Sequence, residues 1–193
     1  MSHIEEDVAR QDIQNGELVN YLLKPFSYFW MKFFEELHYR LLQGFYALII
    51  FSIFSFFFHR LIKITDNLQT LVLGMVIVVL ALISSHLFKM IVGLLAFWTV
   101  DIRGIFNLVD IVILIFAGFI VPIDLLIGPL TKIANALPFA YMIYYPVVVF
   151  QEKLSLNQLI NVVFMQIVWL TIFISIYRFL WNRGIKKFSA VGQ

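Results

Sequence analysis

Three stretches of this chain run for about a membrane's thickness without a formal charge. Residues 41–59 are 19 long, residues 67–88 are 22, and residues 154–177 are 24. An α-helix rises about 1.5 Å per residue, so about 20 apolar residues cross roughly 30 Å of hydrocarbon. A fourth stretch, 104–121, is interrupted only by Asp110. The runs are too long for barrel strands, and they do not alternate polar with apolar. Composition agrees: 62% of residues are hydrophobic and 13% charged, against about 45–50% and 25% in soluble domains. A soluble fold cannot hide that much apolar surface. The expected fold class is an all-α integral membrane protein with four transmembrane helices, at about 40–59, 67–88, 104–121 and 156–179. Residues 90–100 (MIVGLLAFWTV) are too few to cross alone, and would carry the second helix on as far as 99 or lie along the interface.

Charge distribution orients the bundle. With the N-terminus in the cytosol, ten Lys and Arg fall inside and four outside, so the positive-inside bias places both termini in the cytosol. Arg60 and Lys63 count against it. Residues 180–193 form a basic cytosolic tail. Four of the five prolines lie at 122, 129, 138 and 146. Each removes a backbone donor and disfavours helix just before it. Residues 122–155 are therefore read either as short broken helices dipping into the outer leaflet or as an interfacial loop anchored by Phe139, Tyr141, Tyr144 and Tyr145.

The polar head, residues 1–30, precedes a transmembrane domain at 31–193. Asn15-Gly16 is a turn signal. A short amphipathic helix carrying Val8 and Ile13 precedes it, and a second with Leu18, Tyr21 and Leu22 follows, stopped by Pro25. The next helix starts near Ser27, is amphipathic through Lys32, Glu35, Glu36 and Arg40, and becomes the first span. The head reads as either a solvated face beside the membrane or a docking helix for a cytosolic partner.

Catalytic patterns are sparse. The chain has no Cys, which excludes disulfides and thiolate metal sites. His3, His38, His59 and His86 show no metal-ligand spacing, and His86 reads as a packed or hydrogen-bonded residue. Asp101 beside Arg103 reads as a surface pair. Asp110, an acid within a span, should face the bundle interior or water. There is no phosphate-binding loop, so no cofactor is expected on this chain, and any ATP and Mg²⁺ would sit on a partner. Neither enzymatic activity nor nucleic-acid binding is expected.

Several segments resemble one family. DIQNGELVNYLLKPFSYF (12–29) is similar to a cytosolic pattern D-I-x-x-G-x-L-x-x-x-L-x-x-P found in a large bacterial group of permease subunits of type-2 ABC exporters. LLAFWTVDIRGIFNLVD (94–110) resembles that group's junction between fourth and fifth helices. LPFAYMIYYP (137–146), with Pro138, Phe139, Tyr141 and Pro146, resembles its outer-leaflet motif. RGIKKFSAVGQ (183–193) resembles its basic tail, departing at Gln193. The resemblance implies a six-helix permease of the bacterial plasma membrane that pairs with an identical or different permease and binds cytosolic ATPase subunits. It assigns residues 8–25 to the coupling helix, with Asp12, Ile13, Gly16, Glu17, Leu18, Leu22 and Pro25 at the ATPase interface. It also implies two helices ahead of residue 1, so that this chain alone is expected to insert but not to transport. Other readings are a membrane-embedded enzyme using Asp101, Asp110 or His86, and a non-catalytic membrane assembly factor.

Overall fold

The computed structural model describes residues 4–58, 65–151 and 153–191, with side chains through Phe188. His3, His59, Arg60 and Lys63 lie outside the described residues. Every regular element among them is helical. Helix α1 (Ile4–Glu6) runs into a π-helix (Asp7–Gln14), a turn follows, and α2 spans Leu18–Leu22. Then come α3 (Tyr28–Phe58), α4 (Leu68–Leu94) with a 3₁₀ extension at Leu95–Phe97, and α5 (Arg103–Phe116). Three short helices, α6 (Pro129–Ala136), α7 (Phe139–Met142) and α8 (Tyr144–Val148), precede α9 (Leu156–Val191).

Among the described residues, three helices are long and apolar enough to cross a membrane: Tyr28–Phe58, Leu68–Phe97 and Leu156–Phe188. The first begins near Ser27 as the sequence suggests, so the expected division at residue 30 falls inside α3. The second is capped at its start by the Asn67 side chain, which accepts from the Gln69 N–H at 2.9 Å. It absorbs residues 90–97 as a direct continuation past Lys89. The third runs on through the basic tail, which is helical to Val191 rather than a separate segment.

The span expected at 104–121 is shorter than the sequence suggests. Helix α5 has 14 residues, about 21 Å at 1.5 Å per residue, too short to cross alone. Two local causes end it. Gly118 takes φ +77°, where a side chain would also meet the Tyr144 ring at 2.9 Å. Pro122 then disfavours helix at the residue before it.

Helices α4 and α9 form the principal contact and run parallel. The Gln166 amide donates to the Ile77 carbonyl at 3.0 Å. The Phe88 and Phe173 rings lie 5.7 Å apart, and those of Phe97 and Phe188 lie 6.2 Å apart. Both chains descend together through these pairs. The chain between them must therefore climb back the full length of the bundle. Helix α5 makes the first part of that return: Ile105 and Phe106 pack on a core at one end, and Phe116 packs on a second core at the other.

The remainder of the return is the proline-broken stretch. Phe139 meets Phe88 edge-on at 5.4 Å, well down α4. From there α7 and α8 climb until the Thr65 N–H donates to the Phe150 carbonyl at 3.1 Å. Pro138, Phe139, Tyr141 and Tyr144 are buried, and Tyr145 and Pro146 are half-buried. The stretch is thus a set of short helices whose aromatic side chains pack largely into the chain's own core. Its polar groups are satisfied internally: Tyr141 Oη donates to the Asn135 carbonyl at 2.8 Å, Tyr145 Oη to Asn135 Oδ1 at 2.9 Å, and Tyr144 Oη to Asp124. Gln166 Nε2, fully buried, also donates to the Tyr141 carbonyl at 2.9 Å.

Gln166 thus ties α9 to both α4 and α7. Gln166→Leu keeps the volume and removes both bonds. Interhelical hydrogen bonds contribute about 0.6–1.7 kcal/mol each in a membrane protein. We expect Gln166→Leu to lower unfolding stability by about 1–3 kcal/mol, measured by denaturant titration in detergent; unchanged stability would show that the broken segment is held by other contacts.

Candidate functional site

The head folds as a π-helix that buries Val8, Ala9, Asp12 and Ile13 against the bundle. The Asn15 N–H donates to the Arg10 carbonyl at 2.9 Å, a bond across five residues. Such wide turns are rare and concentrate at functional places. Gly16 follows at φ +84° with no atom crowding its α-carbon, so it is kept for conformation and not for space. Gln14 Nε2 donates to the Val100 carbonyl at 2.8 Å, fastening the turn to the loop between α4 and α5.

Beneath the turn lies a buried ion pair. Lys32 Nζ is 2.8 Å from Asp12 Oδ2, with both side chains nearly inaccessible (4% and 1%). Tyr28 Oη donates to the same Asp12 oxygen at 2.5 Å, and Lys32 Nζ donates to Tyr21 Oη at 3.1 Å. The Lys32 ammonium also sits 4.4 Å from the centroid of the Tyr21 ring. Tyr28 stacks on Trp181 at 4.9 Å, and Trp181 on Tyr177 at 6.1 Å. The head is therefore joined through one cluster to α3 and α9. Burial raises the Asp7 carboxyl above the ordinary carboxylate range, against the pull of Lys32.

A second cluster joins α3 to α4. Glu36 accepts from Arg40 Nη2 at 2.7 Å, Lys89 Nζ at 3.2 Å and His86 Nδ1 at 2.5 Å. Arg40 also donates to Ser85 Oγ at 2.9 Å, and Lys89 lies 3.7 Å from Glu5 of the head. The His86 ring is edge-on to Phe29 and Phe33. His86 is thus the hydrogen-bonded core residue the sequence suggests, and its acid partner stands fifty residues away.

The predicted interface residues divide into two groups. Asp12, Ile13 and Leu18 are buried in the chain's own core. They hold the head in place against the bundle. Gly16 is half-buried, and Glu17, Leu22 and Pro25 are exposed. Sequence reasoning missed Leu23 and Phe26, exposed at 80% and 72%. The signal was a pair of leucines and a phenylalanine flanking Lys24-Pro25, more apolar surface than a short solvated segment needs. It also missed Lys32, whose setting (FWMKFF) already places a charge among large apolar groups.

Asp110 is exposed and not in the bundle interior. It lines a polar recess of about 290 Å³ with Arg10, Arg103 and Asn107. Asp101 Oδ1 accepts from the Arg103 N–H at 3.2 Å, at the first residue of α5. Among the described residues Asp110 and His86 share no hydrogen bond or ion pair, and no cluster of His and acids could hold a metal.

Three long apolar helices with a locked polar head define a multi-pass helical membrane protein. A family model described as ABC-2 family transporter protein matches residues 4–192, and the chain belongs to that family. Membership implies a permease role beside a partner ATPase. No curated protein and no solved structure matches the chain.

The Asp12–Lys32 pair is open to a direct test. Removing one partner of a buried pair costs about 3–5 kcal/mol, because the other charge stays behind unpaired. Lys32→Met should destabilise by about that amount, and Asp12→Asn with Lys32→Met by clearly less, measured by thermal unfolding of the purified protein. With Asp12→Asn measured alone as well, a double-variant loss equal to the sum of the two single losses would show that the charges do not interact.

Proposed function

We propose that the chain is the membrane-spanning permease subunit of an ATP-driven exporter in the bacterial plasma membrane, and that its head is the coupling segment of that permease. The observation that carries the reading is the division of the head. Its back, Asp12, Ile13 and Leu18, is locked into the bundle, and its front, Glu17, Leu22, Leu23, Pro25 and Phe26, stands exposed beyond the Gly16 turn. A docking element needs both: a rigid anchor to carry force and an apolar front for a partner to grip. The cytosolic ATPase subunit supplies the ATP and Mg²⁺ sites, and this chain is no enzyme. A second permease, identical or different, completes the transport path.

The topology has both termini in the cytosol. In this reading α3 leads out, α4 returns, α5 with the broken segment makes the third crossing, and α9 comes back as the fourth. The parallel run of α4 and α9 supports it, since two parallel spans need a crossing between them. Helices α6–α8 then enter from the outer face as a re-entrant segment. Irregular backbone is tolerated at that depth when buried in protein, as Pro138, Phe139 and Tyr141 are.

Because the chain has no Cys, single cysteines report side without background. A membrane-impermeant thiol reagent on intact cells should label Ile127→Cys and spare Leu23→Cys; the reverse would overturn the orientation. Gly16→Val places a β-branched side chain at φ +84°, a cost of about 1–3 kcal/mol. We expect that variant to insert and to retain ATPase turnover in the complex while transport falls; wild-type coupling would refute the docking role.

A further inference from the structure

At the end of the bundle that carries the head, three elements enclose a groove of about 440 Å³. Ile13 and Val19 come from the head, Ala96 and Phe97 from the end of α4, and Lys187 and Phe188 from the tail of α9. The floor is apolar, and Lys187 stands exposed at the lip. No acid lines it, and among the described residues Lys187 has no ion-pair partner. The neighbouring Arg183 is engaged over the Phe179 ring at 4.2 Å.

Two glycines set the walls. A β-carbon on Gly184 would meet the Phe97 ring at 2.2 Å, so the tail can lie on Phe97 only where α9 lacks a side chain. A β-carbon on Gly93 would meet Val8 at 2.8 Å and the Glu5 carbonyl at 3.0 Å, so the head settles on α4 for the same reason. Backbone-close contacts of this kind leave little freedom to collapse, and the groove is preformed.

We propose that this groove receives the ATPase subunit: an apolar side chain of the partner fills it, and a carboxylate beside that side chain pairs with Lys187. The proposal rests on the coupling reading above and adds the α9 tail to the docking surface. The argument for this occupant is charge and continuity. Residues 178–193 carry four bases and no acid, which favours an acidic partner segment. Gly16 and Val19 line the groove on either side of the exposed Glu17, so a partner gripping the front of the head reaches the groove beside it. A buried apolar anchor with a charged neighbour is the usual form of an interface hot spot.

The test measures the affinity of the cognate ATPase subunit for the full chain, with any partner permease, in nanodiscs of neutral and of anionic lipid. Ala96→Trp fills the groove and Lys187→Glu reverses the lip, and Leu23→Asp serves as the control on the coupling reading. Thermal unfolding confirms that each variant is folded; Lys187 is exposed, so its variant does not depend on core packing. We expect Ala96→Trp and Lys187→Glu each to weaken binding by about tenfold or more, with Lys187→Glu also flattening its salt dependence. If Leu23→Asp weakens binding and the groove variants do not, the head docks without the groove and this proposal falls alone. If none of the three changes affinity, the coupling reading falls with it. If Lys187→Glu alters only the response to anionic lipid, the groove holds a headgroup, and the proposal is overturned.

Discussion

The parallel packing of α4 against α9 governs the rest of this structure. Two parallel helices cannot be joined by a short turn, so fifty-odd residues must bring the chain back along their length. That requirement accounts for the odd composition of the return. Helix α5 covers its first part, and the broken stretch from Pro122 onward fills the space beside α4 and α9 with short helices whose backbone bonds are completed by neighbours. Gln166 is the joint. Its amide donates to carbonyls on both α4 and α7, and its placement at the level of Ile77 fixes how far α7 reaches into the bundle.

Charge organises the opposite end. Exposed pairs four residues apart on a helix, such as Arg10 and Glu6, contribute only about 0.3–0.5 kcal/mol. The buried groups differ in kind. Asp12 with Lys32, and Glu36 with His86, are withdrawn from water and would be costly alone, while the half-buried Arg40 and Lys89 complete the second cluster, so each cluster tolerates few alternative arrangements. Together they connect head to α3, α3 to α4, and, through the Tyr28–Trp181 stack, α3 to α9. A displacement applied to the head therefore reaches three spans through contacts with little slack. The half of α3 beyond Arg40, by contrast, is exposed along almost its whole length, so the chain holds α3 mainly at the charged end.

How much of this was legible in the sequence depends on range. The long spans were legible because hydrocarbon demands length and apolarity, which need no partner to read. The Gly16 turn was legible because Asn-Gly is a local signal. The broken segment was legible in its prolines, but its depth was not, since that is set by Phe88 and Gln166 on other helices. The early end of α5 was hidden: Gly118 inside an apolar run reads as helix until Tyr144 is seen packed against it. The π-helix carries no local signature. The pairings of Asp12 with Lys32 and Glu36 with His86 join residues 20 and 50 positions apart, and nothing in the spacing announces them. Hence the residues expected at the interface turn out to mix buried positions of the head, Asp12, Ile13 and Leu18, with exposed ones, Glu17, Leu22 and Pro25.

The central claim is that the head and the spans beneath it move as one body. Spin labels at Leu23→Cys on the head and Ile176→Cys on α9, in the otherwise Cys-free chain, measure this directly in the complex with the ATPase. The account predicts the same distance distribution without nucleotide and with ATP and Mg²⁺ trapped. A distribution that shifts between those states would show the head moving on its own, and would contradict it.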